Sequence, residues 1–170
     1  MMMTILGYVK PNAKMFTVNF LRGNDIAFHI NPRFNEGGKQ VVVRNHKLGE
    51  RWGQEERDLK GPFPFASGST LSQQTPDGDV LSVQMKVLCT PEAFRVAVNN
   101  IPMFEFRHRI RELNQIDRIN ILHDVVLTYI NVETASLRKN AGDGAGIRRD
   151  DAGERFLCNI FLQMFQLNRH

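Results

Sequence analysis

The sequence predicts an all-β domain, an antiparallel sandwich or barrel, over roughly its first 132 residues. Short runs of alternating or β-rich residues recur, turn-forming residues separate them, and helical periodicity is nearly absent in this part of the chain. The chain has 170 residues, of which 42% are hydrophobic, so it can form one domain with a substantial core. Twelve Phe against a single Trp indicate a core built mainly on phenylalanine.

The predicted strands follow one another with short connections. We expect them at 16–21, 26–34, 41–45, 52–57, 81–89, 94–98, 103–108, 116–122 and 125–132. Asn99 and Asn100 lie between two of these runs. Because asparagine tolerates a positive φ angle better than most residues, this pair predicts a tight hairpin turn.

Two segments depart from the β pattern. Residues 67–79 are polar and rich in turn formers, which predicts a long mobile loop. Residues 135–154 mix glycines with charges and predict a flexible linker. The apolar run 156–167 then has helical spacing, and either it docks on the domain or stays disordered, or it forms a helix that binds a partner or a membrane surface. Its apolar positions are Leu157, Ile160, Phe161, Met164 and Phe165.

Composition and charge argue against several functional classes. The net charge of +4 comes from basic residues that are dispersed among acids, so we do not expect nucleic-acid binding. Cys89 and Cys158 form neither a disulfide framework nor a Cys/His zinc motif, and the apolar surroundings of Cys89 predict a buried free thiol. No apolar stretch approaches 18 residues, and the N-terminus does not resemble a signal peptide, so we expect cytosolic synthesis and no membrane span.

A strip of polar residues on the predicted strand 26–34 is the first candidate for a binding site. His29, Asn31 and Arg33 alternate with apolar residues and should share one face over about 13 Å of strand. Spacing alone leaves two interpretations open. The strip can bind a polar ligand, or it can be a solvated surface on which ion pairs have only a structural role.

Asn45 and the segment 52–57 add to this strip. Glu55 and Arg57 alternate in the same way, with the intervening glutamate turned to the other side. Amide, guanidinium, carboxylate and imidazole groups suit the hydroxyls of a sugar, and Trp52 offers a flat apolar platform for its C–H face. On strict alternation Trp52 would face away from Glu55, so Gly53 must bend or re-aim the chain.

The order and identity of these residues resemble the recognition signature of one family. His29-x-Asn31-x-Arg33, then Asn45, then Trp52-x-x-Glu55-x-Arg57 is similar to the carbohydrate-recognition signature of the galectins. The resemblance extends from about residue 5 to residue 132 and includes the sequences around 23–28, 64–65 and 94–99.

The resemblance implies a fold and a function. Galectins are β-galactoside-binding lectins with a two-sheet antiparallel sandwich of jelly-roll (galectin/concanavalin-like) type, and they bind sugar on the concave face of one sheet without metal or cofactor. By resemblance, His29, Asn31 and Arg33 would bind the axial 4-hydroxyl of galactose. Asn45 and Glu55 would contact its 6-hydroxyl, while Trp52 would stack on the ring. Glu55, Arg33 and Arg57 would reach the neighbouring glucose or N-acetylglucosamine.

The resemblance also implies the domain organisation and the partners. Residues 1–134 would form the recognition domain, with a loop insertion at about 69–79, and 135–170 would be a linker and tail outside it. We expect galactoside-bearing glycans and glycoproteins as partners, no enzymatic activity, possible homodimers, and a cytoplasmic protein that is exported by a non-classical route.

Two alternatives belong to other functional classes. A glycosidase usually needs two carboxylates that face each other across the bond, whereas Glu55 and Glu56 are adjacent. A galectin fold could also serve as a protein-interaction module, with the insertion or the tail as its main contact.

Overall fold

The computed structural model describes residues 1–65, 72–75 and 78–133, and its strands confirm the all-β prediction. The predicted linker and tail, 135–170, lie outside these residues, as does Cys158. A short 3-10 helix spans Leu113–Gln115. The strands are β1 Met2–Val9, β2 Phe16–Arg22, β3 Asp25–Glu36, β4 Lys39–Leu48, β5 Arg51–Trp52, β6 Ser72–Thr75, β7 Gly78–Cys89, β8 Ala93–Val98, β9 Ile101–Arg107, β10 Arg118–His123 and β11 Val125–Glu133.

The strands form two antiparallel sheets. Sheet A has the order β11-β1-β7-β8-β9, and β6 pairs with β7 outside this path. Sheet B has the order β10-β2-β3-β4-β5. On strands such as β1 and β10, alternate side chains are buried between the sheets, so the alternating sequence runs produce one shared core.

The core is built largely on phenylalanine, as the composition predicts. Phe28 of sheet B stacks on Phe94 and Phe106 of sheet A, with ring centroids 4.7 and 4.8 Å apart. Phe20 lies beside both Phe28 and Phe94, and all four rings are fully buried. Each such ring buries about 150–250 Å² and makes stacking contacts beyond that area, so this cluster holds the two sheets together.

The predicted hairpin turn is confirmed. Asn99 and Asn100 have φ angles of 51° and 66° and connect β8 directly to β9. Two consecutive positive φ angles match the right-handed twist of the flanking strands, which is why asparagine suits both positions.

Strand β1 extends the domain beyond the predicted elements. Met3, Ile5 and Val9 point into the core, and the strand lies between β7 and β11 in sheet A. Gly7 lies at an irregularity in the pairing with β11, while the alternation of buried positions continues through it. A Cβ atom there would come within 2.4 Å of the Val126 carbonyl oxygen, so the close approach of the two strands requires glycine.

Two other predictions need correction. The loop prediction for 67–79 is wrong at Ser72–Thr75, which pair with the start of β7 as strand β6. The polar composition concealed this strand, although Pro76-Asp77-Gly78, which follows it in the sequence, is typical of a turn. Cys89 is a free thiol but only partly buried, and burial raises its pKa.

Candidate functional site

Sheet B brings the predicted polar strip together with its neighbours on β4. His29, Asn31 and Arg33 occupy alternate positions of β3, and His29 pairs with Asn45 of β4. Residues that pair across antiparallel strands point to the same face of the sheet. The three side chains of β3 and the Asn45 amide therefore share the face of sheet B that is turned away from the phenylalanine core.

A bulge after β5 brings Trp52 to this face. Trp52 pairs with Lys47 of β4, and Glu56 forms a bridge with Arg44. These positions are three residues apart on β4 and four apart on the opposing segment, so the segment contains one extra residue. The extra residue reverses the alternation, which places Trp52, Glu55 and Arg57 on the same side of the sheet. The conflict expected from strict alternation is thereby resolved near Gly53.

Trp52 stands beside the imidazole of His29. The two ring centroids are 4.9 Å apart with an interplanar angle of 64°, and 52% of Trp52 is exposed. One edge of the indole is thus held by His29 while a wide part of its surface stays open to a ligand. An exposed indole next to hydrogen-bonding groups is well suited to the apolar face of a sugar ring.

The Asn31 and Asn45 side chains are buried, and their protein hydrogen bonds fix the orientation of both amides. The Asn31 nitrogen donates to the Phe16 carbonyl at 2.7 Å, and its oxygen accepts from Arg33 Nε at 2.8 Å. The Asn45 nitrogen donates to the Gly53 carbonyl at 2.9 Å. The second Asn31 hydrogen is directed at the Thr17 hydroxyl, and Asn45 Oδ1 accepts from the His46 amide and lies 3.4 Å from Arg109 Nη1. One acceptor lone pair of Asn31 and one donor hydrogen of Asn45 therefore remain for a ligand.

The hydrogen bond from His29 to Asn19 sets the imidazole tautomer. His29 Nδ1 lies 2.7 Å from Asn19 Oδ1. An amide oxygen only accepts, so Nδ1 carries the hydrogen and Nε2 presents a lone pair. Burial, together with the positive charge of Arg33, lowers the pKa of His29 to about 4, although the negative charge of Glu55 opposes the shift. At neutral pH the ring is therefore an uncharged acceptor.

Glu36 links the two arginines of the site. Its carboxylate accepts one hydrogen bond from Arg33 and another from Arg57. Arg57 also donates to Glu55 Oε2, from Nη2 at 2.7 Å and from Nε at 2.9 Å. The bonds from Arg57 and Arg33 lower the pKa of Glu36, and those to Glu55 and Glu36 raise the pKa of Arg57. Four alternating charges thus hold both guanidinium groups in place along the strip.

The structure brings all seven predicted residues to one region and adds three that the sequence analysis missed. Asn19 could have been found, because alternation on β2 places it next to His29, with which it pairs. Glu36 follows Arg33 by three residues at the end of β3, beyond the predicted strand. Arg109 contacts Asn45 although the two residues are 64 positions apart in the sequence, and no local pattern indicates such a contact.

The described part of the chain has neither a grouped set of metal ligands nor a long apolar helix. Within it, no cluster of three His, Cys, Asp or Glu side chains could hold a metal ion. No helix among the same residues has the length and hydrophobicity to cross a membrane.

Known proteins are similar to this chain in sequence and in fold. The family model described as "Galactoside-binding lectin" matches residues 1–132. Galectin-3 of Cricetulus longicaudatus is 43% identical over 128 residues, which are 75% of this chain and 46% of that protein. Galectin-3 of Mus musculus is 40% identical over 131 residues, 77% of this chain and 44% of that protein. The chain thus spans less than half the length of these curated relatives.

Two solved structures have the same fold. Sheep galectin-11, in a complex with glycerol, superposes with a TM-score of 0.59 at 24% identity and covers 76% of this chain and 86% of its own. The ancestral congerin Con-anc superposes with a TM-score of 0.60 at 22% identity, and the match covers 78% of this chain and 90% of the congerin chain. These similarities support the predicted two-sheet sandwich. Because the family model covers 132 of the 170 residues and the relatives share about 40% of the aligned residues, the chain belongs to the galactoside-binding lectins, the galectins.

Proposed function

We propose that this chain binds β-galactosides of the lactose and N-acetyllactosamine type, without a metal, on the outer face of sheet B. The binding residues would be His29, Asn31, Arg33, Asn45, Trp52, Glu55 and Arg57. The observation that carries the proposal is that these side chains lie on one face of the sheet and are already held by protein hydrogen bonds. Preorganised groups lose little conformational freedom on binding, which favours affinity.

The proposed contacts explain why galactose would be preferred over its 4-epimer. An axial 4-hydroxyl would donate to His29 Nε2 and accept from the Arg33 guanidinium while the ring lies on Trp52. An equatorial hydroxyl would leave these groups without a partner, and each unpaired buried group costs about 1–3 kcal/mol. Sites built to bind a particular hydroxyl therefore reject analogues that cannot pair with it.

Calorimetric titration with lactose and cellobiose tests the proposal. These disaccharides differ in the configuration at C4 of the terminal ring, so they form a matched pair. We expect lactose to bind at least about 100-fold more tightly, which corresponds to the loss of two well-placed hydrogen bonds. Equal affinities would contradict the proposal. Release of galactose from lactose on prolonged incubation would instead favour a hydrolase.

The depressed pKa of His29 predicts how lactose binding depends on pH. The folded-state value of about 4 lies below the ordinary 6.5, so His29 keeps its Nε2 lone pair until the pH approaches 4. Affinity for lactose should stay constant between neutral pH and about pH 5 and then fall as the ring is protonated. A loss of affinity centred near pH 6.5 in a calorimetric series would contradict the assigned tautomer and environment.

The same shift predicts a change in stability with the same sign as that of a paired carboxylate, whose pKa is also depressed in the folded state. Between pH 6.5 and about 4 the unfolded chain binds a proton that folded His29 does not, so the free energy of unfolding decreases as the pH falls through this window. The titration of His29 contributes on the order of 1–3 kcal/mol to this change in the free energy of unfolding. Chemical denaturation of the native chain and of the His29→Gln variant at both ends of the pH window measures this contribution, because the variant lacks the titrating imidazole.

A further inference from the structure

Glu56 lies on the opposite side of the recognition segment, residues 52–57, from Glu55 and Arg57. We propose that Glu56, held from behind by Arg109 and Arg44, is a positioning residue for the galactoside site. This inference rests on the proposed function, because it concerns how the same site acquires its geometry. None of the three side chains belongs to the set proposed to touch the sugar.

Arg109 makes the more extensive set of contacts. Its Nη2 donates to Glu56 Oε1 at 2.6 Å, and its Nη1 donates to the Gln54 carbonyl at 2.6 Å. The same Nη1 lies 3.4 Å from Asn45 Oδ1 and 3.2 Å from His46 Nδ1. One guanidinium group thus joins the carboxylate and a carbonyl of the recognition segment to the amide of a proposed sugar-binding residue. Only the planar fork of arginine can direct donors at several acceptors in this way.

Arg44 holds the other side of the Glu56 carboxylate. Its side chain is 1% exposed, and its Nη2 lies 2.9 Å from Asp58 Oδ1 and 3.9 Å from Glu56 Oε2. Burial lowers the pKa of Arg44, and Asp58 and Glu56 counter that shift. The backbones of Arg44 and Glu56 also exchange two hydrogen bonds of 2.9 Å. A buried guanidinium needs such partners, because an uncompensated buried charge is costly.

Both arginines are anchored to sheet A. The Arg44 guanidinium carbon lies 4.6 Å from the ring centre of Phe104, and that of Arg109 lies 4.7 Å from the ring centre of Phe106. Both phenylalanines are buried residues of β9. Cation–π contacts of this kind gain strength where water is excluded. The recognition segment, which continues from the edge of sheet B, is thereby fixed against the opposite sheet.

The local backbone explains why this anchoring should affect ligand binding. Strand β5 contains only Arg51 and Trp52, and a bulge separates it from the bridge at Glu56. Between Trp52 and the two backbone bonds at Glu56, the Gly53 amide donates to the His46 carbonyl at 3.0 Å, and the side-chain contacts of Glu56 add to these bonds in fixing the alternation of the segment. With Glu56 bound behind the sheet, its neighbours Glu55 and Arg57 must point to the sugar-binding face. Release of Glu56 would let this alternation relax.

Calorimetric titration of lactose into Glu56→Gln and Arg109→Lys tests the inference. Each variant should bind about tenfold more weakly than the native chain, which corresponds to the loss of one charge-assisted hydrogen bond. Arg109→Lys keeps the positive charge. An equal loss of lactose affinity in this variant would show that the planar fork of the guanidinium group, rather than its charge, positions the segment. The double variant should lose little more than either single variant, because the two residues act as one unit. Arg107→Lys is the matched control, since Arg107 is the exposed last residue of β9, two positions before Arg109, and the variant should bind within about twofold of native.

Thermal unfolding of each variant separates positioning from stability. Titrations at a temperature well below every midpoint measure the affinity of folded protein, so a purely structural role would lower the midpoint without changing Kd. Single variants that bind lactose within twofold of native would overturn the inference and leave the proposed function intact. Failure of the native chain to bind lactose would overturn both.

Discussion

Gly53→Ala should weaken lactose binding strongly and lower the stability of the domain. A Cβ atom at this position would lie 2.0 Å from His46 Cε1 and 2.3 Å from His46 Nδ1, and 3.1 Å from Asn45 Oδ1. The imidazole would have to turn away and give up its contact with Arg109, which lies 3.2 Å from its Nδ1, or the backbone at the bulge would have to shift and move Trp52 with it. Overpacking of this kind costs about 1–3 kcal/mol, and calorimetric titration together with urea denaturation measures both effects.

Gly61→Ala is the matched control for this substitution. A Cβ atom there meets nothing within 4 Å, so neither affinity nor stability should change appreciably. If Gly53→Ala bound lactose as well as Gly61→Ala does, the bulge would not determine the geometry of the site.

Asn31→Ala should have the second large effect, on stability as well as on affinity. Asn31 is 3% exposed and bonds to the Phe16 carbonyl, the Thr17 hydroxyl and Arg33 Nε. Alanine would leave these three groups without their hydrogen-bond partner in a buried place. Each group that water cannot reach would lower the free energy of unfolding by about 1–3 kcal/mol. Arg33 would also lose the contact that orients its guanidinium. Lactose affinity should fall at least about 100-fold, which calorimetric titration would record as a loss of measurable heat.

Asn120→Ala provides the comparison. Asn120 is a half-buried residue of β10 in the same sheet, where it pairs with Asn19 rather than with β3. We expect it to retain lactose binding. If both asparagine variants lost affinity equally, the loss would reflect the sheet as a whole rather than the contacts of Asn31.

Much of the fold could be predicted from local patterns. Alternation located the main strands of both sheets, because a strand with one buried face must alternate in this way. Asn99 and Asn100 identified their turn because few residue types accept two successive positive φ angles. Strand β1 was not predicted, since the sequence of Met2–Val9 does not alternate apolar and polar residues, and only the approach of Val126 on β11 explains its glycine.

The candidate site was predictable where it depends on a single strand and unpredictable where it depends on the other sheet. His29, Asn31 and Arg33 follow from alternation alone. The orientation of Trp52 required a bulge that becomes apparent only from the pairing with Lys47 and the bridge to Arg44. The contribution of Arg109 depends on how sheet A packs against sheet B, and sequence spacing does not encode that distance.

Trp52 has a consequence for how the protein can be observed. It is the one tryptophan among 170 residues, and it lies edge-on to His29 with about half of its surface exposed. The tryptophan emission of the whole chain therefore originates at the candidate site. An indole that is covered by an apolar surface loses contact with water and emits at shorter wavelength. The site thus carries its own optical reporter, and occupancy can be followed in unlabelled protein.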